Sequence, residues 1–185
     1  TIFTAEVAST VNEQLLFDYL LKKTTSAQEK AFLLSNHLDN IRSTLYRQTL
    51  FAEFEHQAHK MVEEEKPLLP EVLCNLHEEL YQIYHGKEFV IDPELKFEWA
   101  RIPHFYSAFY VYQYATGISA AISIAKKILT EGKPAVKKYR EFLTKGGSDY
   151  SLNLLRSAGV DMTTPQPILD AIEDFRQTLK QLKDL

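Results

Sequence analysis

Apolar residues recur at helical spacing along nearly the whole chain. Val7, Val11, Leu15 and Tyr19 return every four residues, with Leu16 and Leu20 beside them, which predicts a helix over residues 5–23. Thr24, Thr25 and Ser26 interrupt it. Ser26 and Glu29 form a capping box, so a second helix is expected to start there and run to about residue 64. Its stripe is Leu34, Leu38, Ile41 and Leu45, continued by Ala52. Pro67 and Pro70 end it. Leu73, Leu76, Leu80 and Ile83 mark a third helix over 71–85, with Pro70 in its first turn and Gly86 at its end. Residues 87–102 are the least helical part, and Phe89, Val90 and Ile91 read as a short extended piece. A fourth helix is expected over 105–130, a fifth from Pro134 to Gly146-Gly147, and a sixth over 148–158, ended by Gly159. The seventh begins at Thr164-Pro165, with Ile168, Ile172, Phe175, Leu179 and Leu182 as its apolar side.

The pattern predicts an all-α fold: one multi-helix globular domain spanning residues 1–185, with tight loops and no repeat, linker or low-complexity tract. The heptad-like stripe of the second helix is too short for a coiled coil. A hydrophobic fraction of 45% and a charged fraction of 25% fit an ordinary globule. A formal charge of -4 with no basic cluster argues against nucleic acid. No apolar run approaches the ~20 residues a membrane helix needs. Cys74 is the only cysteine, which rules out an internal disulfide and suggests a reducing, cytoplasmic setting. No signal peptide is expected. The chain starts at Thr1, without Met, inside what reads as continuous structure, and is expected to be a fragment.

The densest chemistry lies between Trp99 and Ala121. Residues 105–114 carry Phe105, Tyr106, Phe109, Tyr110, Tyr112 and Tyr114. Pro103 disfavours helix in the residue before it and leaves His104 at the mouth of the run. On a helix Tyr106, Tyr110 and Tyr114 share one face, continued by Gly117 and Ala121 with room for a close approach. Two readings stay open: a buried aromatic helix, or a polar cavity in which a substrate partners the hydroxyls.

Elsewhere the residues favour structural roles. Glu6 suits the first turn of a helix, where the dipole favours a carboxylate. Glu13 falls close to the same face. His56 and His59 sit three apart on what reads as a solvated helix end. His37 and His85 read as surface residues, and Cys74 as core. His77-Glu78-Glu79-Leu80-Tyr81 begins like a zinc-binding HExxH motif, but Tyr81 replaces the second histidine. Arg47 and Gln48 have no assignable chemistry. No Ser-His-Asp order and no Gly-rich phosphate loop is present.

RIPHFYSAFYVYQYATG resembles the C-terminal catalytic segment of the oligoendopeptidase F group, in the thimet oligopeptidase family of zinc metallopeptidases. FTAEVASTVNEQLLFDYLLKK, RQTLFAEFEHQAH and LLRSAGVDMTTPQPI agree with that group in the same order. The resemblance covers essentially all 185 residues. It implies the C-terminal part of a larger helical, zincin-like endopeptidase that hydrolyses short peptides. It makes Glu6 the third Zn2+ ligand and puts the other two on an HExxH helix upstream of Thr1. It makes His104, Tyr110 and Tyr114 donors to the developing oxyanion, with Tyr106 and Tyr112 as substrate-binding tyrosines. Glu13 reads as a solvated or hydrogen-bonded helix carboxylate, with the orienting of a zinc-bound histidine as the alternative. The fragment alone is then expected to bind zinc weakly or not at all, and to be inactive. Its partners are a short peptide and the upstream part, with no nucleic acid or membrane, and the exposed half-cleft is a candidate surface for a homo-oligomer. The alternative is a non-catalytic helical module that docks a peptide or partner helix on its aromatic face.

Overall fold

A computed structural model describes residues 2–185 and divides the chain into two compact units, residues 1–45 with 113–185, and residues 46–112. Thr1, with the reading placed on it, lies outside the described residues. No strand occurs among them, and none of their helices is long and apolar enough to cross a membrane.

The larger unit contains α1 (Ile2–Lys23), α2 (Ala27–Ile41), nearly all of α5 (Tyr112–Glu131), α6 (Lys133–Lys145), α7 (Ser151–Ser157) and α8 (Gln166–Lys183). Its core is built on the small residues of α5. Ala120, Ala121 and Ile124 pack against Val7 and Val11 of α1, Tyr139 and Phe142 of α6, and Leu154 and Leu155 of α7. Each large side chain buried there contributes about 1.5–3 kcal/mol of transfer free energy. The Tyr139 hydroxyl donates to the Ala8 carbonyl at 3.0 Å, so a polar atom enters this core with a partner.

Three expectations change in this unit. Gly117 is buried, but a Cβ placed on it meets nothing within 4 Å, so it does not mark a close approach. α8 buries the predicted apolar stripe only in part: Ile168 is 41% exposed and Ile172, Phe175, Leu179 and Leu182 are half-buried, while Asp170, Ala171 and Thr178 are buried. Asp170 instead accepts from the Ser123 hydroxyl at 2.6 Å, Lys126 Nζ at 2.7 Å and Gln166 Nε2 at 3.0 Å. His37 is not a surface residue. It is 5% exposed, stacks on Phe17 with centroids 3.9 Å apart, and pairs through Nε2 with Asp174 at 2.6 Å. A carboxylate far away in sequence offsets the cost of burying it.

The smaller unit holds α3 (Arg47–Glu63), α4 (Pro70–His85) and two 3-10 turns, Leu95–Arg101 and Pro103–Tyr106. Leu50, Phe51 and Phe54 of α3 pack with Leu76, Leu80 and Tyr81 of α4, and with Ile102 and Val111. The single helix expected over 26–64 is interrupted by a π-helical stretch, Arg42–Tyr46. A π turn holds more residues than an α turn and shifts the buried stripe. Leu50 and Phe51 are therefore buried and Ala52 only partly so. The helix expected over 105–130 begins only at Tyr112, and residues 103–106 form a 3-10 turn. Tyr106, Tyr110 and Tyr114 consequently share no helix face. Phe89, Val90 and Ile91 form no regular element.

Candidate functional site

Pro103 opens the short turn that carries His104, Phe105 and Tyr106. The Ser107 amide bonds back to the His104 carbonyl at 3.0 Å, and the Tyr110 amide to the Ser107 carbonyl at 3.1 Å. Within that second turn Phe109 takes φ +56°, a left-handed conformation unusual for an aromatic residue. Its amide donates to Oε1 of Glu55 at 2.7 Å, and its ring lies 4.7 Å from that of His59. An amide held by a carboxylate cannot join a helical ladder, which explains why the predicted helix starts late. The turn brings Tyr110 onto His104, ring centroids 5.6 Å apart and planes 17° from parallel.

Beside this turn is a cavity of about 300 Å³, whose lining includes Phe54, Glu55, His59, Trp99, Phe105 and Tyr106. Tyr106 is 90% exposed at its edge. Its floor belongs to the aromatic core: Phe54 packs on Trp99 at 6.2 Å and on Phe105 at 5.5 Å.

Next in sequence to Trp99 of the cavity lining is Glu98, a buried carboxylate. It accepts from Arg47 Nη2 at 2.6 Å, from Arg101, and from the Tyr81 hydroxyl. Burial alone would raise its pKa, but the Tyr81 and Arg47 hydrogen bonds and the charges of Arg47 and Arg101 outweigh it and hold the carboxyl below its usual range. Burial, then the adjoining Glu98, push the Tyr81 phenol up to about 12. Burial and the bond to Glu53 likewise raise the Tyr84 phenol. Arg47 also lies over the Phe51 ring, 4.7 Å from its centroid.

His77, the start of the half-motif, is fully buried between Phe51, Phe54 and Tyr81, and neither ring nitrogen has a partner in hydrogen-bonding geometry. Burial pushes its pKa down, outweighing the Glu98 carboxylate and the Leu95 carbonyl, which favour the cation. His85 is not a plain surface residue: its ring packs between Tyr81 and Phe89, centroids 5.0 and 4.5 Å away. Cys74 is buried, and His56 is exposed.

Of the predicted site residues, His104 and Tyr110 are brought together, with Tyr106 and Tyr112 in the same unit. Tyr112 is 43% exposed at the start of α5. Glu6, Glu13 and Tyr114 belong to the other unit, Glu6 and Glu13 as exposed carboxylates on α1 and Tyr114 half-buried on α5. Among the described residues no three His, Cys, Asp or Glu side chains are grouped to hold a metal ion. These residues alone therefore do not fit a zinc ion; Glu6 offers one accessible donor. Sequence reasoning missed Glu55 and Glu98. A signal for Glu55 existed: it stands four residues after Phe51, on the apolar stripe of α3.

A sequence model described as Peptidase family M3 matches residues 1–174. The chain is 49% identical over 185 residues to the oligopeptidase PepF of Bacillus subtilis (strain 168), and 44% identical to an oligoendopeptidase F homolog of Borreliella burgdorferi. It covers 28% and 31% of those proteins, so it spans about a third of the length of the relatives it matches. A crystal structure of oligoendopeptidase-F from Enterococcus faecium matches with a TM-score of 0.95 and 46% identity, over 100% of this chain and 35% of that one. A matching family sequence, whole-chain identity near one half and a superimposable fold agree, and the chain belongs to peptidase family M3.

Proposed function

We infer that the chain is the C-terminal part of a zinc-dependent, cytoplasmic endopeptidase that hydrolyses short peptides. The observation that carries this reading is the stacked His104–Tyr110 pair on a turn of unusual backbone, in a chain of this family. Zinc, when bound, supplies a Lewis acid and an activated water. Glu6 would contribute one ligand to it, and an HExxH helix elsewhere in the enzyme would supply the rest. His104, Tyr110 and Tyr114 donate hydrogen bonds to the oxygen of the scissile carbonyl as it gains negative charge. Such donors are each worth about 3–4 kcal/mol in the transition state. Tyr106 and Tyr112 contact the peptide. The 185-residue chain alone is inactive on this reading.

The test uses the enzyme that contains this chain and a fluorogenic peptide. Tyr110→Phe or Tyr114→Phe is expected to lower kcat about 100- to 1000-fold at nearly unchanged KM. Equal loss in kcat and in affinity would make the tyrosines packing or binding residues. No hydrolysis by the parent protein would favour a peptide-docking module instead.

A further inference from the structure

We propose that Glu55 is a positioning residue: it holds Phe109 in the left-handed conformation and so fixes Tyr110 against His104. The inference rests on the peptidase reading only for what Tyr110 does. Glu55 is 6% exposed, and its Oε1 accepts the Phe109 amide at 2.7 Å. Phe109 follows Ser107 and Ala108 in a turn closed by the Tyr110 amide on the Ser107 carbonyl, 3.1 Å away. It occupies the third position, where a type II turn needs positive φ and normally carries Gly or Asn. Phenylalanine resists that conformation and keeps it only where its surroundings impose it. Two groups on α3, one helical turn apart, do so: the Glu55 carboxylate takes the backbone and the His59 imidazole takes the ring. The next residue is Tyr110, so any drift of the Phe109 amide moves the phenol off His104.

The chain itself and the enzyme containing it are both measured, as wild type, Glu55→Ala, Glu55→Gln, Phe109→Asn and Glu55→Ala with Phe109→Asn. Hydrogen exchange of the Phe109 amide reads the clamp without substrate or metal. Glu55→Ala should speed it about 10- to 100-fold, the equivalent of losing one hydrogen bond to a charged group. Glu55→Gln, which still presents an oxygen, should restore most of the protection. In the enzyme, Glu55→Ala should lower kcat and leave KM nearly unchanged. Asparagine tolerates the left-handed region unaided, so in the Phe109→Asn background Glu55→Ala should change kcat by no more than about twofold, the remainder being coupling between the two sites. Unchanged exchange in Glu55→Ala, or the same kcat loss in both backgrounds, overturns the proposal. Faster exchange with unaltered turnover supports the clamp and removes the catalytic role given to Tyr110.

Discussion

Replacing Glu98 with alanine tests how the smaller unit tolerates a buried charge. The Tyr81 hydroxyl is buried and loses a bond to a charged acceptor, worth about 1.5–3 kcal/mol. The Arg47 side chain is 32% exposed, so water partly replaces its partner and the loss is about 0.5–1 kcal/mol. Arg101 is 70% exposed and adds nothing measurable. The expected destabilisation is about 2–4 kcal/mol. Trp99, the only tryptophan, adjoins the site, so urea unfolding followed by its fluorescence reports this unit directly. Glu98→Gln keeps a neutral acceptor for Tyr81 and should lose about half as much. Because the folded carboxyl titrates below its usual value near 4.5, its contribution is complete above that pH. It is lost as pH falls through the lower folded value, and both variants lack that loss. A change under about 0.5 kcal/mol for Glu98→Ala, typical of a plain surface position, would refute the reasoning.

His77→Phe keeps the ring stacking and removes two unpartnered nitrogens, so at pH 7 it should be neutral or stabilising by up to about 1 kcal/mol in the same urea assay. The wild type should also lose stability as pH falls below the usual imidazole value of 6.5, because the unfolded chain protonates there before the folded one, while His77→Phe lacks that loss. Asp170→Ala strands the buried Ser123 hydroxyl and frees Lys126, and should cost about 1–3 kcal/mol in urea unfolding followed by far-UV circular dichroism.

Local signals were legible where the local chain decides. Ser26 caps α2 and accepts the Glu29 amide at 3.4 Å, though the Glu29 carboxylate turns to Thr24 instead of closing the box. Pro70 opens α4, and Gly86, at φ +84°, ends it. The all-α class followed from such spacing. What failed was decided by distant partners. Glu55 takes the Phe109 amide from 54 positions away, and no periodicity could show that the aromatic run would not coil. His37 reads as polar and exposed until Asp174, 137 positions on, is found beside it. The resemblance named His104 and Tyr110 as site residues; neither the stacking of their rings nor the turn that produces it was legible in the sequence.

The docking of α8 has a consequence for how the chain finds its final arrangement. A leucine stripe slips along its groove by one helical turn at modest cost, since one apolar contact replaces another. Asp170 has no such latitude. Its partners on α5, Ser123 and Lys126, occupy one place, and any neighbouring register buries a bare carboxylate. Polar seating thus makes this helix slower to slide but single-valued in where it stops.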